Sequence, residues 1–270
     1  MIKLKKCGRL TFGTNTHNAR KLIEFSRKVY DLMYERTFRA EDLINAFKVA
    51  KGMGTFNVSK EFGLNYESVH KYLTLMSNYG MFEPVQWGEY RISVLGRELY
   101  FAVDEETQAE ILMQGMIMHY TCMVRGVEVF PYKRIVRFLG DLGGHCSKLE
   151  LGALFLVANE IEYQDVLSRI RLAREHNTPE MVAGIYHDYF EYGVVSKKDI
   201  GLIINKDITR PTLAFETLGL IGKVSQVRDN RVKVFGWYVD ANHTINLTEK
   251  GREIVSAYTN NIIPVGMVTA

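Results

Sequence analysis

Apolar residues recur along this chain at two different periods, and the change from one period to the other happens twice. From Thr37 to Val49, Phe38, Leu43 and Phe47 fall at helical spacing, and Thr55 to Phe62 predicts a second short helix with Gly63 as the turn after it. Tyr66 to Asn78 places Val69, Leu73 and Met76 on one face, to be buried against the other two helices, and leaves Glu67, His70 and Lys71 opposite. Asn65 is positioned to cap that helix by accepting from an amide of its first turn, and Gly80 ends it. The period then drops to two. Phe82 to Trp87 and Glu89 to Val94 flank Gly88 and predict a hairpin, after which Ile92 to Leu99 runs from strand into another helix.

The same order recurs near the other end. Ser196 caps a predicted helix through Ile204, and Ile208-Thr209-Arg210-Pro211 opens the next, with Pro211 in a first turn where a missing amide costs nothing. Leu213, Phe215 and Leu218 supply its apolar face and Gly219 closes it. Lys223 to Val227 and Val232 to Val239 are then expected as strands around a polar tip, Arg228 to Arg231. Ile245 to Ile254 repeats the exit of the first hairpin, including Gly-Arg-Glu at Gly251 to Glu253. Between the copies, Glu105 to Tyr120, Tyr132 to Leu139, Leu149 to Val157, Tyr163 to Glu175 and a segment from Pro179 to about Tyr192 are predicted helices, with a break at Gly143-Gly144.

Three helices and a hairpin form a winged helix, whose third helix enters the major groove while the hairpin reaches the adjacent backbone. The expected fold class is therefore mainly α with small β-hairpin wings (α+β), as tandem winged-helix units joined by a helical connector. Four segments follow: 1–36, a basic N-terminal arm and first helix; 37–103, the first winged-helix unit; 104–193, an acidic helical connector with a further helix-turn-helix core near Leu139 to Leu167 as one option; and 194–270, the second unit.

Charge changes the picture once it is divided along the chain. The whole carries only +3, but residues 1–39 hold ten Lys/Arg against three Asp/Glu. Residues 40–99 have six against seven, 100–193 eight against fourteen, and 194–270 ten against seven. Two basic ends around an acidic middle suit a polyanion clamp better than a uniformly solvated surface. Double-stranded DNA is the expected partner. The candidate contacts are Lys5, Lys6, Arg9, Asn15, Thr16, His17, Asn18 and Arg20 in the arm, and Asn65, Tyr66, Ser68, His70 and Lys71 in the first recognition helix. Gln86, Trp87 and Arg91 follow in its wing. The second unit offers Lys206, Thr209, Arg210 and Thr212, then Arg228, Asn230, Arg231 and Lys233. Each has the alternative of an ordinary surface side chain, and the arm equally suits a solvated loop before a capped helix.

Chemical centres are not legible. Cys7, Cys122 and Cys146 are too few and too scattered for a disulfide framework or a zinc ladder and are read as reduced thiols. His145-Cys146 lacks metal-ligand spacing, and Gly140 to Gly144 is not followed by the Lys-Ser/Thr of a phosphate loop. No catalytic residue, metal or cofactor is expected. No apolar run reaches the roughly 18 to 20 residues of a membrane span and the start leads into no signal-like block, so a cytoplasmic protein without membrane contact is expected, of unspecified oligomeric state.

Several segments resemble the DNA-recognition region of type IIS restriction endonucleases, the FokI-like and AlwI-like group. They are Arg9-Leu10-Thr11-Phe12-Gly13, Tyr79-Gly80-Met81-Phe82, Arg91 to Gly96, Phe138 to Gly144, and Ser147 to Leu151. The resemblance covers most of the chain and implies sequence-specific duplex binding within a restriction or related defence system. It also implies a separate nuclease domain or subunit as partner, since the acidic residue followed by Asp/Glu-x-Lys of such nucleases has no match here; Glu249-Lys250 lacks the intervening residue. Nuclease activity is then expected only with that partner. A transcription regulator is the first alternative and a winged-helix protein-interaction module the second. Regulators usually pair on two-fold sites, whereas two unlike units suit an asymmetric one.

Overall fold

The computed structural model describes residues 8–10, 19–46, 66–225 and 229–259, which fall into two compact units, one formed by 13–120 and the other by 1–12 with 121–270. The class is α+β: mainly helical, with short antiparallel strand pairs in a winged-helix-like arrangement.

The 13–120 unit runs α1 (Ala19–Met33), β1 (Phe38–Arg39), α2 (Ala40–Ala46), α3 (Tyr66–Asn78), β2 (Phe82–Gln86), β3 (Glu89–Ile92), α4 (Val94–Phe101) and α5 (Glu105–His119). The strands form one sheet in the order β1-β3-β2, with Phe38 opposite Tyr90 and Phe82 opposite Ile92. Val69, Leu73 and Met76 are buried as their spacing predicts, beneath a cluster of Phe25, Phe38 and Phe82 whose rings meet edge to face. One expectation changes here. The helix predicted from Thr37 opens instead with the strand pair Phe38-Arg39, because Phe38 fills the sheet side of the core and Arg39 joins Glu89 across the strands. The helix proper starts at Ala40. The predicted Thr55–Phe62 helix lies outside the described residues.

The other unit continues with β4 (Cys122–Val124), β5 (Val127–Val129), α6 (Pro131–Asp141), β6 (His145–Cys146), α7 (Lys148–Leu154), α8 (Glu160–Glu175), α9 (Glu180–Glu191) and α10 (Lys197–Leu202). A π-helical turn, Ile203–Asp207, leads into α11 (Thr209–Thr217), then β7 (Arg231–Val234), β8 (Trp237–Asp240), β9 (Ile245–Asn246) and α12 (Glu249–Thr259). Ser147 and Ser196 open α7 and α10 with reciprocal capping boxes to Glu150 and Asp199.

The repeat is wider than its sequence signature. In the 13–120 unit, α1 leads to β1, β1 to α2, and β1 pairs β3; in the other, α6 leads to β6, β6 to α7, and β6 pairs β9 with Cys146 opposite Ile245. The bridge between Ile221 and Leu247 stands where Phe82 faces Ile92. The last helix of each set, α4 or α12, packs on its first, α1 or α6. Gly96 and Gly251 make that docking possible: a Cβ on either would fall inside contact distance of the Met81 or the Leu220 carbonyl oxygen. In the second set α8, α9 and α10 are inserted between α7 and α11.

Candidate nucleic-acid interface

The first candidate surface lies on α3 and the β2-β3 hairpin. Lys71 is exposed on α3 and His70 half-buried; Tyr66 and Ser68 belong to the first turn of the same helix. Two turn residues, Trp87 and Gly88 with φ of +73°, join β2 to β3, and this tip leaves Trp87 84% exposed. That is an unusual cost for a large indole, and it leaves an aromatic face at the end of a rigid hairpin. Behind it, cross-strand pairs balance the sheet's charge. Arg39 Nε donates to Glu89 Oε1 at 2.9 Å, Gln86 donates to the other oxygen of Glu89, and Arg91 Nε donates to Glu83 Oε2 at 2.8 Å. These hydrogen bonds hold the Glu89 carboxyl below its usual range, Gln86 contributing first and Arg39 next. Arg91 is therefore on the wing, as expected, but shared with an acid. Arg20 is exposed on α1 and paired with Glu24 one turn on.

The second surface is formed by α11, the π-helical turn before it and the β7-β8 hairpin. Lys206 and Thr209 are exposed where α11 begins, and Arg210 is half-buried with Nη1 3.5 Å from Asp207. Asn230 is exposed just before β7, and Arg231 and Lys233 point outward from it in alternation with buried Val232 and Val234. Tyr238 stands beside Lys233 on the neighbouring strand and is 63% exposed. The exposed face is thus two cations and a phenol ring, an arrangement suited to phosphate and sugar contacts.

Two expected contacts and one hairpin tip are placed differently. Arg9 is not on a free arm: it is 9% exposed, its guanidinium pairs with Asp207 and lies 3.3 Å from Asp199, and Leu10 next to it donates its amide to the Phe155 carbonyl. The basic run that contains Arg9 looks solvated in sequence because nothing local shows which cation meets a distant acid. Burial pushes the Asp207 carboxyl up, with Arg9 and Arg210 pulling against it. Thr212 is 6% exposed and spends its hydroxyl on the Ile208 and Thr209 carbonyls, since its place in α11 faces the core. The second hairpin is also shifted. Its tip is Phe235-Gly236, both at positive φ (49° and 98°), and not Arg228 to Arg231. The alternation from Val232 to Val239 runs on without a polar break because the turn takes only two residues, one of them aromatic. Phe235 is held by His187 and Phe190 of α9, at 4.3 and 4.8 Å between ring centroids, so this hairpin folds onto its own unit. Lys5, Lys6, Asn15, Thr16, His17, Asn18, Asn65 and Arg228 lie outside the described residues.

A buried ionic cluster sits below the second surface. Glu150, with its side chain 4% exposed, takes both arms of Arg174 at 2.7 and 2.9 Å, the Ser147 amide at 2.7 Å, and has His243 Nε2 at 3.3 Å. Burial alone would raise its pKa, but those partners, Arg174 first, bring it down to about 2. Arg174 also donates to the Leu142 and His145 carbonyls, which fixes the turn between α6 and β6. The cluster reads as structural. Among the described residues no group of three His, Cys, Asp or Glu is placed to hold a metal ion, and no helix is long and apolar enough to cross a membrane.

No protein-family model matches the chain, and neither does any curated protein. Solved structures similar to it are the restriction endonuclease FokI, at 13% identity over 94% of this chain and 48% of that chain with a TM-score of 0.47, and FokI bound to DNA, at 14% identity over 96% and 49% with a TM-score of 0.45. The chain spans about half the length of each.

Proposed function

We propose that this chain binds double-stranded DNA sequence-specifically through two winged helices, as the recognition module or subunit of a type IIS-like restriction or defence system. The observation that carries the reading is the duplicated arrangement: a first strand pairs antiparallel with the strand that leads into the last helix, as Phe38–Tyr90 in one set and Cys146–Ile245 in the other, and the three-stranded sheet of the first set is matched in the second by a two-stranded pair and the Ile221–Leu247 bridge. Each copy places a helix with exposed polar residues before its hairpin, α3 with Lys71 and α11 with Lys206 and Thr209. In this reading α3 and α11 read base edges, while Trp87, Arg231 and Lys233 meet sugar and phosphate. The second winged helix draws its first helix and strand from α6 and β6, so 104–193 supplies part of that unit besides connecting the two. Cleavage belongs to a separate nuclease domain or subunit, and the cytoplasm is where such a protein works.

The reading is tested by titrating a selected duplex against the protein at rising salt. Affinity should fall steeply and log-linearly with salt, and footprinting should give an asymmetric site. A palindromic footprint favours the regulator reading. Absence of duplex binding at low salt removes DNA recognition altogether and leaves the protein-interaction module. Incubation with duplex and magnesium should leave the DNA intact, and protein-dependent nicking overturns the assignment of cleavage to a partner.

A further inference from the structure

The 13–120 unit contains a cavity of about 370 Å³ that none of the expected DNA contacts except Arg91 touches. Three arginines from three different elements line it: Arg36 from the link between α1 and β1, Arg91 from β3, and Arg97 from α4. Thr37 adds a hydroxyl, and Tyr34 an aromatic face that is 49% exposed. One acid, Glu35, shares the lining. It is hydrogen-bonded to the Tyr34 hydroxyl, and this bond is the first cause of that phenol's raised pKa. Arg91 is shared with Glu83 outside the cavity, whereas Arg36 and Arg97 make no ion pair with a described carboxylate. Three arginines against one engaged glutamate leave a cationic hollow.

Two further features suit a built site. Glu35 holds a φ of +57°, a left-handed conformation that a residue with a Cβ adopts at a cost and that a helix end normally gives to glycine. That turn directs the chain from α1 to the cavity wall at Arg36. Tyr30 also lines the cavity; its ring stacks on Tyr100 at 3.8 Å and lies 4.9 Å from Tyr34, so the aromatic side is packed from behind. The volume lies in the range of small-ligand pockets, large enough for a phosphate with an attached sugar.

We infer that this cavity is a phosphate-binding site, in which the forks of Arg36 and Arg97 grip the oxyanion, Arg91 adds long-range charge, and Tyr34 covers the attached sugar or base. Guanidinium forks match phosphate oxygens two at a time, which a lysine cannot do. The same chemistry is offered by a backbone phosphodiester of DNA and by a free mononucleotide. Only the DNA source rests on the function proposed above.

The test uses the full chain, the variant pair Arg36→Gln/Arg97→Gln, and the charge-keeping pair Arg36→Lys/Arg97→Lys. Both arginines are exposed, so thermal melting should be unchanged in either pair and serves as the folding control. Probes are inorganic phosphate and 5′-deoxyadenylate by calorimetry, and a selected duplex by fluorescence anisotropy across a salt series. With DNA as source, the glutamine pair should bind duplex at least about tenfold more weakly and lower the salt slope by about one, the share of the single phosphate that both forks hold, while the lysine pair keeps the slope and loses affinity. With the free nucleotide as source, wild type should bind deoxyadenylate and the glutamine pair should lose it, even if no duplex binds at all; DNA recognition then fails and the pocket stands. The inference is overturned if the glutamine pair matches wild type on the duplex and on both small phosphates, or if wild type binds none of the three.

Discussion

Ser93 and Thr248, in different units, make the same set of hydrogen bonds. Ser93 Oγ donates to the Gly80 carbonyl at 2.6 Å and accepts from the Gly96 amide at 2.9 Å; Thr248 Oγ1 donates to the Gly219 carbonyl at 2.6 Å and accepts from the Gly251 amide at 2.9 Å. Each hydroxyl caps the helix after the hairpin and ties its start to the turn that ends the helix before the hairpin. It thereby fixes where the wing leaves and returns. Ser93→Ala and Thr248→Ala should each lower stability by about 1 to 2 kcal/mol, the removal of a cap plus a stranded carbonyl, whereas Thr248→Ser should cost less than about half of that. Urea unfolding of the three variants checks this. Equal stability of the alanine and parent proteins would show that the hydroxyls are incidental.

Glu150 and Arg174 predict a pH dependence. A carboxyl held at about 2 when folded, against an ordinary value near 4.5, contributes stability that is complete above about pH 4.5 and is lost as pH falls toward 2. The shift corresponds to about 3 kcal/mol. The groups facing it are Arg174, His243 and the Ser147 amide, with the buried Cys146 thiol nearby, itself pushed up by burial first and by Glu150 second. Glu150→Gln should therefore flatten the acid limb of the stability profile and destabilise the protein by about 3 kcal/mol at pH 7, because Arg174 keeps its charge without its counterion. Thermal melts from pH 3 to 8 measure both effects, and parallel profiles for variant and parent would refute the assignment.

The contrast between the two hairpins shows how far sequence reaches. The first is legible because Trp87-Gly88 interrupts the alternation with a glycine where positive φ is needed, and the two strands form on either side of it, ending at Gln86 instead of Trp87 and at Ile92 instead of Val94. In the second, Phe235 takes a left-handed φ that its side chain disfavours, stabilised by α9 from elsewhere in the chain, so the local signal is absent. The same holds for β1 and β6, each two residues long, and for β4 and β5, joined at Arg125-Gly126: strands this short carry no periodicity, and only their partners define them. The repeat's second half is visible through Gly219, Thr248 and Gly251, but its first half in α6 and β6 is hidden by the insertion of α8 to α10. Arg36 and Arg97 have no motif to mark them; three elements must fold together before their charges share a cavity.

Trp87 is a spectroscopic handle on the first surface. The chain has two tryptophans. Trp87 is open to solvent, and Trp237 packs so closely on Gly201 that a Cβ there would strike its ring. Iodide should quench the Trp87 fraction of fluorescence and spare most of the rest. Trp87→Phe should remove the quenchable fraction while changing stability by less than about 0.5 kcal/mol. If the wing meets DNA, adding duplex should shield Trp87 from iodide, and Trp87→Ala should weaken binding by about 1 to 2 kcal/mol as the indole's stacking on a base or sugar is removed. Undiminished quenching in a saturated complex would remove the first wing from the interface.

If the second hairpin meets DNA, Arg231 and Lys233 separate phosphate binding from folding there. Their side chains point away from the core while Val232 and Val234 between them are buried, so replacing both cations by alanine leaves the packing of β7 intact. Stability should change by less than about 0.5 kcal/mol per site. Duplex affinity should fall by a similar factor for every DNA sequence, and the slope of log affinity against log salt should drop by about two, since each phosphate left without its cation keeps about 0.9 of a counterion. Phe235→Gly is the complementary variant. A glycine there accepts positive φ without strain but forgoes packing on the His187 and Phe190 rings, so it should loosen the hairpin and weaken binding with the salt slope almost unchanged. Identical salt slopes for the double alanine variant and the parent would take β7 off the DNA and leave α11, through Lys206 and Thr209, as the part of this unit that meets the duplex.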